Sequence, residues 1–353
     1  RDMKKRILVA PLNWGLGHAT RCIPIINALI DNHFEVIIAS DGNALNLLRK
    51  EFPRLEAIEL PSYAITYSEN AKLIKWKLLK DSPKIMQTIK AEKKAVKSIV
   101  DFYNIDGIIS DNRFGVRSKK VPSVFITHQI QVLSGNTTWL SSRMHQKIIK
   151  KFDICWVPDN QYKPNLSGQL GHVPHTEINI EYIGPLSRFN KKETKVVYAL
   201  FVLLSGPEPQ RTFLEENLFL VLKEFKGKVL FVRGLVDDAQ TKIEKDNLTI
   251  YNFMTSESLE QAINESAMVL SRSGYTTIMD LAKLEKKAFF IPTPGQFEQE
   301  YLAKRFHDLG VVPYSKQDAF TIDQLEAVAD STGLRDIEIG IDYKKLFRLF
   351  ESK

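Results

Sequence analysis

The fold of this chain is decided by the stretch LSRSGYTTIMD, residues 270–280. Its apolar start is typical of a buried strand, a Ser-Gly turn follows, and Thr276–Leu284 has the periodicity of a helix. The next apolar run, Ala288–Ile291, predicts another strand. Because strands that alternate with helices form parallel sheets, the stretch predicts an α/β fold.

The same alternation extends over the whole chain. Predicted strands are Ile7–Ala10, Glu35–Ala39, Gly107–Ser110, Ser123–Thr127, Val196–Leu204, Lys228–Val232, Thr249–Asn252, Met268–Leu270 and Ala288–Ile291. A turn at Ile183–Leu186 interrupts them. We therefore expect two Rossmann-like domains, 1–185 and 186–335, and a C-terminal helix over 336–353 that packs back on the first domain. Parallel sheets bind ligands beyond the carboxyl ends of their strands, so the domains are expected to face a central cleft.

The positive charge of the chain is concentrated in one segment. The net charge is +7, and nine lysines lie between Lys72 and Lys97 against two acidic residues. Because basic residues are not spread over a face, nucleic acid is not expected as a partner. A peripheral contact of Lys72–Lys97 with an anionic membrane is one interpretation, and a solvated helix face is the other.

Cysteine content and apolar runs favour a cytoplasmic protein. If the lysine segment binds a membrane, the protein is expected to lie peripherally at its inner face. Cys22 and Cys155 are the only cysteines, which does not suggest a disulfide framework. The longest apolar run, Val196–Leu204, is far shorter than the roughly 20 residues of a membrane-spanning helix, and it predicts a buried strand.

A glycine turn, NWGLGHATR at residues 13–21, follows the first predicted strand. Gly15 and Gly17 would let backbone N–H groups approach an anionic ligand at a helix N-terminus, although tight turns use glycine for geometry as well. His18 is a candidate general base, with helix capping as the alternative. Thr20 replaces the third glycine of a dinucleotide-binding fingerprint, which disfavours a dehydrogenase.

The second predicted domain carries a constellation suited to a nucleotide-sugar. Its helix begins after Ser273 and Gly274, where backbone amides and the hydroxyl of Ser273 or Thr276 can hold a diphosphate. Asp280, four residues after Thr276, would accept hydrogen bonds from the two hydroxyls of a ribose. One strand later, Glu298, Gln299 and Glu300 open another helix and are candidates for contact with sugar hydroxyls; helix capping is their alternative role.

These motifs resemble those of the inverting glycosyltransferases of the two-Rossmann-domain B fold, especially the branch with the UDP-N-acetylglucosamine transferase that forms lipid II in peptidoglycan synthesis. The resemblance rests on residues 271–280, Phe290–Pro292 and Glu298–Glu300, and on the Gly-Leu-Gly-His loop at 15–18. It implies that Asp280 replaces the ribose-binding glutamate, that Gln299 and Glu300 contact the sugar, that Ser205 and Gly206 form a phosphate loop, and that the Phe253 backbone contacts the base.

The resemblance also implies the reaction. A UDP-sugar, of which a UDP-N-acetylhexosamine is a candidate, would donate its sugar with inversion to a hydroxyl acceptor, of which a lipid-linked one is a candidate. No metal and no cofactor besides the donor are expected. From their positions at strand ends, we expect His18 to be the base, with Asp111 and His128 as alternative bases and Arg113 as a residue that would bind an acidic acceptor. The other interpretation is structural: Asp111 would cap a turn and His128 would pack in a loop. Two departures stand out: Asp280 is one methylene shorter than glutamate, and Glu208 would repel phosphate if it pointed inward.

Two other functions stay open. A UDP-sugar hydrolase of related fold carries a Gly-x-Gly-His-x-x-Arg loop, which Gly15, Gly17, His18 and Arg21 match, and His18 would then activate water. The chain would otherwise bind a nucleotide-sugar without catalysis.

Overall fold

The computed structural model describes residues 3–63, 82–133 and 138–352. They form two compact units. The described residues up to Leu186, together with those from Glu338 onward, make up the first unit, and Ser187–Ile337 make up the second.

The first unit contains a seven-stranded parallel sheet in the order β3-β2-β1-β4-β5-β6-β7. Its strands are β1 (Arg6–Pro11), β2 (Glu35–Ser40), β3 (Ala57–Glu59), β4 (Gly107–Asp111), β5 (Ser123–Ile126), β6 (Ile154–Val157) and β7 (Ile180–Tyr182). Its helices are α1 (Gly17–Asp31), α2 (Gly42–Glu51), α3 (Ser82–Tyr103) and α4 (Thr138–Ile149).

The second unit contains a six-stranded sheet in the order β10-β11-β9-β8-β12-β13. Its strands are β8 (Leu200–Leu203), β9 (Val229–Val232), β10 (Lys242–Lys245), β11 (Leu248–Tyr251), β12 (Val269–Ser271) and β13 (Ala288–Phe290). Its helices are α5 (Gln210–Val221), α6 (Ser256–Asn264), α7 (Tyr275–Leu284) and α8 (Phe297–Asp308). All pairings are parallel except that of β10 with β11.

The predicted α/β class with two parallel Rossmann-like sheets is confirmed. The central strands of each sheet are buried on both faces, which explains why they read as continuous apolar runs rather than as alternating patterns. Ile7–Ala10 in β1 and Leu200–Val202 in β8 are fully buried. Exposed, charged β10 (KIEK) lacks this pattern and was not predicted, and the same is true of short β3 and β7. Buried β6 (ICWV) has the apolar pattern but was not predicted either.

The prediction that Val196–Leu204 forms one buried strand was wrong for its first half. Val196 and Val197 are 63% and 44% exposed, and the strand begins only at Leu200. The backbone N–H groups of Val197 and Tyr198 donate instead to the carbonyl of Glu265, after α6. Two β-branched residues thus precede the strand without belonging to it.

The C-terminal segment is a short helix, α9 (Tyr343–Leu346), followed by a 3-10 turn over Phe347–Phe350, and not one helix over 336–353. The rings of Phe347 and Phe350 are buried and lie 5.8 Å and 6.3 Å from the ring of Phe34. A Cβ added at Gly107 would lie 2.3 Å from the Phe350 ring, so the glycine leaves room for it. The segment is therefore part of the core of the first unit.

The lysine-rich segment is described only in part. Lys84 to Lys97 lie on α3, whereas Lys72 to Lys80 lie outside the described residues. Among the residues that the structure describes, none of the helices has both the length and the apolar character needed to cross a bilayer.

Candidate functional site

The predicted catalytic residues of the first unit converge at the carboxyl edge of its sheet. The strands β1, β4 and β5 are neighbours, and their register places Pro11 beside Asp111 and Asp111 beside Ile126. Asp111 is thus the last residue of a central strand, while His18 starts α1 after the glycine turn and His128 follows β5. Parallel topology alone brings these three positions together.

Asp111 is the centre of a buried hydrogen-bond network. Arg21 donates from Nε to Oδ2 at 2.5 Å and from Nη2 to Oδ1 at 2.6 Å, and Nδ1 of His18 lies 2.7 Å from Oδ1. Arg21 also donates from Nη1 to Nδ1 of His128 at 2.7 Å. The Asn112 amide donates to Oδ1 at 3.0 Å. The carboxylate is therefore held from several sides.

The charge state of Asp111 follows from these contacts. Burial by itself would raise the pKa of its carboxyl, since Asp111 is fully buried. The charges of Arg21 and His18 and their hydrogen bonds outweigh burial and hold the pKa of Asp111 well below its ordinary value. Asp111 is thus ionised at any pH at which an enzyme works, and it is too weakly basic to be the predicted alternative base.

The ionised carboxylate fixes the tautomer of His18. Because a carboxylate only accepts hydrogen bonds, Nδ1 of His18 carries a proton, and the lone pair of the neutral ring is on Nε2. Nε2 has no hydrogen-bond partner among the described residues, and the side chain is 18% exposed. His18 therefore has the geometry of a general base that a carboxylate orients.

His128 is placed differently. Its Nδ1 accepts a hydrogen bond from Arg21, so a neutral ring carries its proton on Nε2 and has no lone pair left for a substrate. His128 is also buried, at 6% exposure. The structure thus favours His18 over both alternative bases.

The glycine turn leaves space beside His18. Gly15 has φ +65°, which favours glycine, and a Cβ added there would meet nothing within 4 Å. Gly17 is the first residue of α1, whose N-terminus has no side-chain cap and no acidic residue in its first turn. These features suit the approach of an anionic or polar ligand.

In the second unit, the predicted donor residues lie at the carboxyl edge of β8, β12 and β13. The register places Ser271 beside Leu203 and beside Phe290, so the loops after these strands are neighbours. Ser205 and Gly206 follow β8, and Ser273 and Gly274 follow β12. Gly274 is the N-cap of α7, with no side-chain cap and nothing within 4 Å of an added Cβ.

Ser273 and Gln299 hold the edge together. The buried Ser273 hydroxyl donates to the carbonyl of Gln299 at 2.7 Å, and Oε1 of Gln299 accepts from the N–H of Thr293 at 2.8 Å. Glu300 accepts from the N–H of Gly295 at 3.1 Å. Among the described residues no partner is placed for the Nε2 amide of Gln299, which is left to donate. Sequence reasoning gave Ser273 to the diphosphate, but its hydroxyl is used within the protein.

Asp280 is buried on α7 and already has a partner. Ser187, the first residue of the unit, donates to its Oδ1 at 2.6 Å. Burial raises the pKa of Asp280 to about 6, although the charge of Arg188 and the Ser187 hydrogen bond lower it in part. Thr276 lies one turn earlier on the same helix and is partly exposed.

The remaining predicted residues are placed as follows. The Phe253 N–H donates to the side chain of Asn252 at 2.9 Å, and its carbonyl accepts from Gln240 at 3.0 Å. Glu298 is partly exposed in the first turn of α8. The negative charge of Glu208 is balanced within the protein, because Arg211 donates to its carboxylate at 2.5 Å. Thr212 also donates to this carboxylate, at 2.6 Å.

Arg113 was wrongly expected to bind an acidic acceptor. It is fully buried, donates to Asp41 at 2.8 Å and to the carbonyl of Pro61 at 2.6 Å, and lies 3.6 Å from Glu92. It is thus a structural arginine. Within the described ranges, no group of three or more His, Cys, Asp or Glu side chains is placed to hold a metal ion.

Two functional candidates were missed or undervalued. The sequence analysis considered Arg21 only as part of a hydrolase-like motif, and it did not consider Ser187. The Gly-His-x-x-Arg spacing puts His18 and Arg21 one helical turn apart and was a usable signal for a shared partner. No spacing pointed to Ser187, whose contact with Asp280 spans 93 residues.

Comparisons with known proteins agree with this geometry. Residues 210–334 match the glycosyltransferase family 28 C-terminal domain. A UDP-N-acetylglucosamine–N-acetylmuramyl-(pentapeptide) pyrophosphoryl-undecaprenol N-acetylglucosamine transferase of Sulfurihydrogenibium sp. is 21% identical over 339 residues, covering 95% of this chain and 92% of the relative. The chain is a glycosyltransferase of the B fold.

Solved structures show the same fold for this glycosyltransferase. The kitacinnamycin glycosyltransferase has a TM-score of 0.62 at 14% identity, covering 99% of this chain and 94% of that one. MurG of Acinetobacter baumannii has a TM-score of 0.53 at 14% identity, covering 99% of each chain. These comparisons confirm the predicted resemblance to the lipid II-forming branch.

The Arg21–Asp111 pair of the glycosyltransferase is expected to be strongly coupled. Asp111→Asn leaves the buried charge of Arg21 uncompensated and should lower the free energy of unfolding by about 3 to 5 kcal/mol. Adding Arg21→Met should recover part of this loss, with a coupling energy of about 1 to 3 kcal/mol in a double-mutant cycle measured by urea denaturation.

The exposed pair of Lys120 and Asp101 is the control. Its atoms also lie 2.5 Å apart, but its side chains are 61% and 52% exposed. The same cycle with Lys120→Met and Asp101→Asn should give a coupling below about 1 kcal/mol. Equal couplings for the two pairs would show that Asp111 is not held by a buried ion pair.

Proposed function

We propose that this glycosyltransferase transfers a sugar from a UDP-sugar to a hydroxyl group by direct displacement with inversion, and without a metal ion. The observation that carries the proposal is the His18–Asp111 contact, which orients a basic nitrogen at the carboxyl edge of the first sheet. The carboxyl edge of β8, β12 and β13 in the second unit, here called the donor edge, is proposed to bind the UDP-sugar.

In the proposed step, Nε2 of His18 takes the proton of the acceptor hydroxyl as its oxygen attacks the anomeric carbon. The bond from that carbon to the diphosphate oxygen breaks, and UDP leaves with the bonding electrons. Protonated His18 is stabilised by ionised Asp111, which does not itself take the proton. Attack opposite to the leaving group inverts the configuration of the carbon.

The leaving diphosphate is proposed to lie at the N-terminus of α7. The N-terminus of α7 has no side-chain cap, presents the positive end of the helix dipole, and has open space beside Gly274. Gly206, with φ +106°, lets the loop after β8 approach the same anion. Such donors stabilise developing negative charge without a metal.

The remaining donor contacts concern the ribose and the sugar. Asp280 is proposed to accept from the ribose hydroxyls, sharing or replacing the hydrogen bond from Ser187. The Nε2 amide of Gln299 and the exposed Glu300 are proposed to contact the sugar, with Thr276 and Glu298 beside them. The Phe253 carbonyl is proposed to accept from the base.

The choice of donor and acceptor is supported by the Sulfurihydrogenibium relative, whose name describes transfer of N-acetylglucosamine from UDP-N-acetylglucosamine to a pyrophosphoryl-undecaprenol acceptor. We infer that UDP-N-acetylglucosamine and a polyprenyl-diphosphate-linked sugar are the first substrates to test. Contact of Lys72–Lys97 with an anionic membrane would bring the enzyme to such an acceptor.

His18→Ala should reduce transfer by about 10² to 10⁴-fold, because the acceptor loses its general base. UDP release from UDP-N-acetylglucosamine with the polyprenyl acceptor measures the rate. His175→Ala, an exposed histidine of the same unit, is the control and should keep the wild-type rate. A His18→Ala rate within threefold of wild type would exclude His18 as the base, and equal UDP release without acceptor would indicate hydrolysis.

Gly274→Ala should weaken UDP-N-acetylglucosamine binding at least tenfold, because the new methyl group enters the space proposed for the diphosphate. The ligand-free protein should melt almost unchanged, since φ of −70° suits alanine and nothing lies within 4 Å. Gly340→Ala, equally open but far along the chain, is the control. Isothermal titration that gives the same affinity for both variants would place the diphosphate elsewhere.

Donor affinity should depend on pH through Asp280. Its pKa of about 6 means that the carboxylate is charged above this pH and protonated below it. Because only the carboxylate accepts from both ribose hydroxyls, UDP-N-acetylglucosamine affinity should be constant from pH 7 to 8 and fall toward pH 5. Asp280→Asn should bind weakly and lose the pH dependence in the same titrations. A wild-type affinity that stays level down to pH 5 would contradict this role.

A further inference from the structure

A basic notch lies on the first unit, between α3 and the loop that precedes β5. It has a volume of about 270 Å³ and is lined by Lys93, Lys97, Val100, Arg117, Ser118, Lys119 and Lys120. The loop leads into the amino end of β5, and the last turns of α3 lead into the amino end of β4. In a parallel sheet this is the edge opposite to the one that carries His18 and Asp111.

The positive charge of the notch is almost unneutralised. Lys120 pairs with Asp101 at 2.5 Å, and within the described part of the chain no other lining cation has a carboxylate partner. Burial lowers the pKa of the Lys93 ammonium, and so do the nearby charges of Arg117, Lys151 and Lys90. The cations therefore repel one another, and a bound anion would relieve this repulsion.

The loop is held in place without help from a ligand. The N–H of Ser118 donates to the hydroxyl of Ser123 at 3.0 Å, and that hydroxyl donates back to the Ser118 carbonyl at 3.1 Å. The N–H of Lys120 donates to the Ser118 hydroxyl at 3.1 Å. Nε of Arg117 is buried beside this loop with no hydrogen-bond partner. The site is thus preorganised, with an unsatisfied guanidinium nitrogen.

We propose that this notch binds a phosphate group. Its volume is below the roughly 300 to 1,000 Å³ of pockets that enclose whole small ligands, so it fits a phosphate or diphosphate and not an entire nucleotide-sugar. An arginine and several lysines around a fixed loop are the donors that phosphate recognition uses. The phosphate can come from the headgroup of an anionic phospholipid or from a soluble phosphate ester.

The test compares two double variants with the same change in charge. Lys93→Glu with Lys97→Glu alters the notch, while Lys147→Glu with Lys163→Glu alters exposed positions of the first unit that lie outside both the notch and Lys72–Lys97. One arm titrates inorganic pyrophosphate by calorimetry at low salt. The other sediments the protein with phosphatidylcholine vesicles, with and without phosphatidylglycerol. Neither variant changes the second unit, so a difference in binding between the two variants is due to the notch.

The notch variant should lose at least tenfold in affinity in one arm or both, and the control should stay within threefold of wild type. Loss with vesicles only identifies a lipid headgroup, and loss with pyrophosphate only identifies a soluble phosphate. Equal behaviour of the two variants in both arms, or no binding by the wild type in either, would overturn the proposal.

Discussion

The proposed catalytic edge, at the carboxyl ends of β1, β4 and β5, depends on one buried carboxylate. Asp111 receives two hydrogen bonds from Arg21 and one from His18, and these three side chains come from the end of a central strand and from the first turns of the helix after the glycine turn. Isolating such charges from water is costly, and the cost is offset only when every partner is in place. The position of α1 against β4 is therefore tied to the orientation of the base.

The donor edge follows a different rule, in which most polar side-chain atoms hold the loops and few are left for a ligand. Ser273, Oε1 of Gln299 and the Glu300 carboxylate are bonded to the backbone around them. Around Ser273 and Gln299, these contacts leave for a ligand the open space at Gly274, the amide of Gln299 and the remaining carboxylate oxygen of Glu300. Recognition of a diphosphate by backbone amides suits an edge whose side chains are already engaged.

Much of this could be predicted from sequence because it depends on periodicity and on local turns. Central strands buried on both faces read as continuous apolar runs, and Gly274 before α7 marks a helix start. The start of a strand was harder to place, as Val196 and Val197 show, because apolar β-branched residues can also precede it. Charged β10 and the short helix near the C-terminus carry no strong period and could not be read in this way.

Roles within the site were harder to predict than positions. Sequence reasoning placed Asp111, His128 and His18 together but could not rank them as bases, because the ranking depends on which atom Arg21 contacts. Arg113 was assigned to substrate for the same reason, since its buried partner Asp41 lies 72 residues away in the chain. Long-range ion pairs between buried side chains leave no spacing that a single sequence reveals.

The most direct measurement of the central claim is the tautomer of His18 by ¹⁵N nuclear magnetic resonance of histidine-labelled protein at pH 8, with His18→Ala used to assign the signal. A proton on Nδ1 and a bare Nε2 are predicted, because Asp111 only accepts. A proton on Nε2 would mean that the nitrogen facing the acceptor cannot take its proton, and it would contradict the assignment of His18 as the base.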